Sequence, residues 1–368
     1  MAAAAPPTAS LKMTYGTRGL PGGAEAYIHA QSSTAMKASH DFRIYQGDGS
    51  TIGERGVRLP PVELGEWIDD PAGYLADEGL RDAVNVAITL GQPLLVTGEP
   101  GTGKTQFARS VAYELGLASP FVFNTKSTSA ARDLFYRYDS LRHFHDAQFS
   151  KGQTDVEDYI HYESLGLAIL CAMAPTAADR FLPPGLRGGG PSRAVVLIDE
   201  VDKAPRDVPN DVLDEIEEMR FTVRETGRTF VAEPSYRPIV ILTSNSERTL
   251  PDAFLRRCVF YHIPFPDAQR LALIIQRRLR PGSAFAPAIV ESAIRHFERI
   301  RELGLRKKPS TAELLAWVRM LDNLDLDLDR VGPAEAEALA FTYSILAKSK
   351  EDLVLMRQEL THRTTRGD

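Results

Sequence analysis

The sequence predicts an α/β fold in which a parallel sheet lies between helices, followed by a small all-α unit. Three observations predict it. Short apolar runs, PLLVT (93–97), FVFN (121–124), AVVLID (194–199) and PIVILTSN (238–245), alternate with helical stretches. Such runs are the pattern of parallel strands covered on both faces. The first run passes through a glycine-rich loop straight into a helix-forming stretch, LLVTGEPGTGKTQFARSVAYELG (94–116). Beyond about residue 267 the runs stop. DAQRLALIIQRRL, APAIVESAIRHFERIREL, STAELLAWVRMLDNL and PAEAEALAFTYSILA then place apolar residues three and four apart, the spacing of one helix face.

These changes divide the chain into an N-terminal arm or cap (1–75), an α/β core (76–265) and a helical C-terminal unit (266–368). The first part is rich in Gly, Ser, Pro and Ala and carries few periodic apolar runs. In ADEGLRDAVNVAITLG (76–91), Leu80, Val84 and Ala87 or Ile88 share one face, and Gly91 ends the helix. The segment 126–193 is long for a helix-to-strand connection, so it is expected to carry an insertion headed by ARDLFYRYDSLRHFHDAQ. MRFTVRETGRTFVAEPSYRP (219–238) reads as two short strands around Thr226-Gly227, a hairpin over 219–237.

Bulk composition excludes several classes. The 368 residues hold 43 Lys and Arg against 49 Asp and Glu, a net charge of −6, which argues against a general nucleic-acid binder. Two cysteines, Cys171 and Cys258, are too few and too far apart for a disulfide framework or a zinc site. No apolar stretch approaches the ~18 residues of a membrane helix. The opening MAAAAPPTASLKMTYGTRGLPGG has no apolar core of a signal peptide, so the cytoplasm is the expected compartment.

The loop carries the chemistry. Gly98-Glu99-Pro100-Gly101-Thr102-Gly103-Lys104-Thr105 fits G-x-x-x-x-G-K-[ST]. Glycines let the backbone curl so that its N–H groups point inward at phosphate oxygens. The helix that follows aims its positive dipole end at the same anion. Lys104 is expected to reach the β- and γ-phosphates and the Thr105 hydroxyl to take a place on Mg²⁺.

A phosphate cradle alone does not say whether anything is hydrolysed. AVVLIDE ends a buried strand in two acids: Asp199 to hold Mg²⁺ through water, and Glu200 to polarise an attacking water. A third strand ends in TSN, from which Asn245 could reach the γ-phosphate or the attacking water.

With these residues in place, the chain resembles an AAA+ ATPase over about 76–320. The stretches PLLVTGEPGTGKT, DEVDKAPRDVPNDVLDEIEEMRFTV and LPDAFLRRCVFYHIPF are similar to those of the MoxR-like subgroup. The resemblance implies a P-loop AAA+ core with an α-helical lid, and a homo-oligomeric ring, a hexamer, with ATP and Mg²⁺ between subunits. It implies that Arg257, with Arg256 as the alternative, serves the neighbouring subunit's site, where an arginine stabilises charge on the transferring phosphoryl group. It also implies a hairpin that faces the pore or the partner. The family's lid-helix arginine is missing: in LRKKPSTAELLAW its position falls at Ser310 or Thr311, and Arg306, Lys307 or Lys308 are the nearby cations.

Weaker signals read as structure. His143 and His145 are too far apart around a helix to share a metal, and DNLDLDLD has Arg330 and Ala336 where a calcium loop needs Gly and Glu. RGGGP (187–191) leads into a strand and lacks a helix dipole, and GLRKKPS is a weak basic patch. The expected function is an Mg²⁺-dependent ATPase ring acting as a chaperone or remodeller of an unidentified client protein. The alternatives are an ATP-gated scaffold or switch with little turnover in a defence or signalling assembly, and a DNA-directed AAA+ protein. ATP versus GTP stays open.

Overall fold

The computed structural model describes residues 44–45, 70–149, 155–246, 250–278, 287–324, 326–329 and 332–366. Apart from residues 44–45 and 70–75, the expected N-terminal arm lies outside them. In chain order the main elements are α1 (Glu78–Leu90), β1 (Leu94–Gly98), α2 (Lys104–Glu114), β2 (Phe121–Asn124), β3 (Tyr136–Tyr138), α3 (Ser140–Phe149), β4 (Ile160–Tyr162), α4 (Ser164–Cys171), β5 (Val195–Asp199), β6 (Arg220–Val223), β7 (Arg228–Val231), β8 (Ile239–Ser244) and β9 (Val259–Ile263). A helical unit follows: α5 (Ala268–Arg278), α6 (Pro287–Glu302), α7 (Thr311–Asn323), α8 (Pro333–Leu346) and α9 (Lys350–Arg366).

Five strands form one parallel sheet in the order β2-β5-β8-β1-β9. Successive side chains along a strand point to opposite faces, and here both faces are buried. Leu94, Val96, Val195, Leu197, Ile239 and Ile241 pack with Leu80 and Ala87 of α1 and Phe107 and Val111 of α2. Leu95, Val196, Ile198, Val240 and Leu242 pack instead with Leu165, Ile169 and Leu170 of α4. Two-sided burial explains why the central strands read as unbroken apolar runs.

The edge strand β9 was not recognisable from such a run. Among the described residues it pairs only with β1, and Phe260 and His262 are exposed while Ile263 is buried. His262 breaks the run after Val259, Phe260 and Tyr261, so VFYHI carries only a three-residue apolar signal. The strands β3 and β4, three residues each, also went unread.

The β6–β7 hairpin forms with a four-residue turn, Arg224–Gly227. Its buried face joins the insertion in one aromatic cluster. The Phe221 and Phe230 rings lie 5.1 Å apart, Phe181 stands 4.9 Å from Phe230, and Tyr162 stands 5.6 Å from Phe230. Arg220, Thr222 and Thr229 are exposed on the other face, while Arg228 rims the aromatic cluster, lying over the Phe181 ring and pairing with Glu157 at 2.8 Å. In the insertion, His143 hydrogen-bonds Tyr138 at 2.5 Å and stacks on Tyr159 at 4.6 Å.

The helical unit has its own core around Trp317, Phe297, Leu314 and Leu321, each fully buried. The acidic stretch after α7 closes this core. Leu326 and Leu328 point inward, while Asp329 accepts from Ser292 at 2.7 Å. Burial of alternate leucines ties this acidic stretch to the helical core.

Candidate nucleotide site

The loop between β1 and α2 turns through two glycines with positive φ, Gly101 at 75° and Gly103 at 90°. L-residues with a Cβ rarely adopt this region. Gly101 is further constrained by a neighbour: a Cβ there would lie 2.4 Å from Ser310 Oγ.

The parallel register brings the expected residues to one edge, the C-terminal ends of β1, β5 and β8. Lys104, only 7 % exposed, donates from Nζ to Gly98 O at 2.7 Å, Glu99 O at 3.0 Å and Asn245 Oδ1 at 2.8 Å. Burial pulls its pKa down, opposed by the nearby charges of Asp199, Asp202 and Glu200. Thr105 Oγ1 donates to Asp199 Oδ2 at 2.9 Å. Asn124, opposite Asp199 in the register, ends the adjoining strand.

Glu200 follows with a left-handed backbone, φ 56° and ψ 48°. For a residue other than glycine this costs of order 1 kcal/mol, and such strain gathers at functional sites. The conformation is held from β8: Thr243 Oγ1 accepts from the Glu200 N–H at 2.9 Å and donates to Asp199 Oδ1. One hydroxyl thus fixes both acids. The Glu200 carboxylate pairs with Lys203. Asp202 accepts from the Asn245 N–H at 3.3 Å, which sets the end of β8.

Arg256 and Arg257 are not brought to this site. They precede β9, and the Val259 N–H bonds Pro93 O, so both lie at the opposite end of β9 and β1. At about 3.3 Å per residue, the five residues of β1 put them roughly 13–16 Å from the loop. Both are exposed. Arg257 faces Asp214 at 3.3 Å and Glu217 at 3.7 Å.

Beside the loop a cavity of about 450 Å³ opens toward the helical unit. Loop residues Gly101–Gly103 form one wall, Ile263, Phe265 and Ile274 another, and Thr311, Ala312 and Leu315 of α7 a third. Its mostly apolar lining suits a flat heterocyclic base. Tyr74 also lines it, with its phenol pKa pushed up by burial and by Asp77.

The helical unit touches the loop through a residue the sequence did not single out. Arg301, 11 % exposed, stacks over the Phe265 ring at 3.5 Å and donates to Pro309 O and to Glu99 Oε2, the latter at 2.9 Å. Of the cations weighed from sequence, Arg306 instead pairs with Glu351 at 3.6 Å, and the N–H groups of Arg306 and Lys307 bond Asp352. Thr243, Asp202 and Lys203 were likewise unread, although Thr243 sits in the quoted TSN.

The donor set fits Mg²⁺. Thr105 and Asp199 are adjacent hard oxygens, and this ion takes one or two protein ligands plus phosphate and water. Among the described residues no group of three or more His, Cys, Asp or Glu is placed to hold a metal ion.

Residues 93–258 match the model of the AAA domain, dynein-related subfamily. Over 96 residues the chain is 36% identical to RuvB-like helicase 1 of Drosophila melanogaster, covering 22% of this chain and 21% of that protein. It is 33% identical over 104 residues to RuvB-like helicase 1 of Yarrowia lipolytica, covering 24% and 22%. The chain thus spans about a fifth of the length of the curated relatives it matches. Among solved structures it is similar to Thermotoga maritima RuvB, described as a Holliday junction branch migration motor. There the identity is 15%, the coverage 78% of this chain and 72% of that one, and the TM-score 0.38.

Proposed function

We propose that this chain, whose residues 93–258 form an AAA domain of the AAA+ class, is an Mg²⁺-dependent ATPase that works as a ring. One observation carries the reading. Lys104, Thr105, Asp199, Glu200 and Asn245 converge at the C-terminal edge of three adjacent strands, while the exposed arginines before β9 stand at the far end. Phosphate binds the loop amides and Lys104, and Thr105 and Asp199 hold Mg²⁺, which when bound neutralises phosphate charge. Glu200 orients and deprotonates a water, and Asn245 fixes the Lys104 ammonium beside it. The pair Asp214 and Glu217 holds Arg257 until a neighbouring subunit's site takes it, so the site is shared between subunits.

The finer reading is a MoxR-like remodeller, hexameric and cytoplasmic, that couples hydrolysis to assembly or activation of a client protein. Its support is the match of the stretches around Gly98–Thr105, Asp199–Val223 and Leu250–Phe265 to that subgroup's pattern. A second reading, a DNA-directed motor, rests on the name helicase borne by the matched relatives. The net charge of −6 opposes it. No helix among the described residues is long and apolar enough to cross a membrane.

The test is phosphate release measured across protein concentrations. Turnover rises with ring assembly and disappears in Lys104→Ala, whereas Glu200→Gln keeps ATP binding, loses turnover and traps the client. Wild-type protein that binds ATP without turnover and is locked active by Glu200→Gln marks a switch instead. Turnover stimulated by DNA in a salt-dependent way marks the DNA-directed reading.

A further inference from the structure

At the end of β8 remote from the glycine loop, one guanidinium gathers two helix ends. Arg237, half-buried, stands two residues before β8 and donates from Nε to Gly91 O at 2.8 Å. One of its Nη atoms donates to Ile216 O at 3.1 Å and to Glu217 O at 2.8 Å. Gly91 caps the C-terminus of α1, and Ile216 and Glu217 belong to the last turn of the short helix Leu213–Glu218. Carbonyls at a helix C-terminus have no partner within the helix, and the dipole there favours a cation. Gly91 is fitted to this side chain: its φ is 64°, and a Cβ would lie 3.0 Å from Arg237 Nε. Arg237 thus fixes the short helix against the segment that enters β1.

The short helix carries the two acids that meet Arg257. Leu213 and Ile216 are buried, which turns Asp214 and Glu217 outward to Arg257 at 3.3 Å and 3.7 Å. Beside the arginine there is space: a cavity of about 410 Å³ has Gly91, Glu217, Arg237, Arg256 and Arg257 in its lining. Close packing therefore does not aim Arg257. The short helix aims it, and Arg237 holds the short helix. Arg237 takes no part in the wall of the cavity beside the glycine loop, and it stands at the opposite end of β8 from Asn245. We propose that Arg237 is the positioning residue of Arg257, fixing the direction in which each subunit offers that arginine to its neighbour. The proposal rests on the shared-site reading above. Its consequence is an effect felt across the interface: losing Arg237 spares a subunit's own nucleotide grip and slows hydrolysis in the subunit next to it.

Arg237→Met keeps the apolar stem and loses all three bonds. It binds ATP within about twofold of wild type, while kcat falls about tenfold, the effect of a group misaimed but not removed. Mixing locates the defect. With Lys104→Ala, whose arginine is sound, phosphate release rises to about five times the sum of the two separate proteins, since a quarter of interfaces then pair an intact loop with a well-aimed arginine. With Arg257→Ala no gain appears, because both defects lie on the same side of the interface. Arg237→Lys keeps a charge between the helix ends, so it shows the same pattern with a smaller loss, and it carries the test if Arg237→Met does not fold. An Arg237 that only stabilises its own subunit gains nothing from Lys104→Ala. The proposal is overturned if the Arg237 variants keep wild-type kcat, are not rescued by Lys104→Ala, are rescued by Arg257→Ala, or bind ATP much more weakly than wild type. Failure of Lys104→Ala and Arg257→Ala to rescue each other would sink the shared-site reading itself, a result distinct from all of these.

Discussion

Replacing Arg301 with alanine removes the tie between the helical unit and the glycine loop, and the structure sets the size of the loss. Three contacts disappear. The stack on Phe265 at 3.5 Å, largely shielded from water, contributes about 1–2 kcal/mol. The bond to Pro309 O from a charged donor contributes about 1 kcal/mol. The ion pair with Glu99 adds less than about 1 kcal/mol, because Glu99 remains 47 % exposed and the pair is screened. That exposure also caps the total, since the stranded carboxylate is solvated and no buried charge is left alone. Allowing for non-additivity, Arg301→Ala costs about 2–3 kcal/mol. Urea unfolding followed by the fluorescence of Trp317, fully buried in the helical core, reads this directly in a Trp67→Phe background. A double-mutant cycle with Glu99→Gln isolates the ion pair, with an expected coupling of about 0.5–1 kcal/mol. A loss below about 0.5 kcal/mol for Arg301→Ala would refute the reasoning that this side chain holds the two units together.

Three further outcomes follow from the same geometry. Thr243→Val leaves the Glu200 N–H and Asp199 without their shared hydroxyl, so kcat falls about 10- to 100-fold while the fold survives, as phosphate release and circular dichroism would show together. Gly101→Ala forces a Cβ into Ser310 at φ 75° and costs about 2–3 kcal/mol, seen as a lower melting temperature and weaker nucleotide binding. Burial pushes the Cys258 thiol up to about 12 and raises that of Cys171, so at pH 8 only about one Cys258 in ten thousand is thiolate. Native protein then reacts slowly with a thiol reagent and reacts fully in denaturant. Because the folded pKa is raised, this group's stabilising contribution is whole below about pH 8.5 and is lost as pH climbs toward 12.

The site was legible in the sequence wherever one short segment carries the chemistry. Gly98 to Thr105 carries a whole loop pattern, from the first glycine to the start of a helix, within eight positions, so its residues declare themselves. Asp199 and Glu200 were legible for a similar reason, as acids closing a buried strand. Thr243 was half legible: it stands in TSN, but its task depends on the β5–β8 register, which no single segment encodes. Arg301 was illegible because its partner Glu99 lies 202 positions away and only folding brings them together. The edge strand β9 escaped because His262 cuts its apolar run to three residues and because Phe260, although apolar, is exposed, so residue type does not report which face is buried. The helix Thr311–Asn323 was plain from period alone.

The central claim is that each site is built from two subunits, and mixing two inactive proteins tests it most directly. Lys104→Ala lacks the phosphate grip but keeps Arg257; Arg257→Ala keeps the grip but lacks the arginine. Mixed in equal amounts under conditions that let rings exchange, roughly a quarter of interfaces pair an intact loop with an intact arginine. Phosphate release in the mixture should then rise well above the sum of the two separate proteins. A mixture no more active than that sum, from proteins shown to co-assemble, would contradict the shared site.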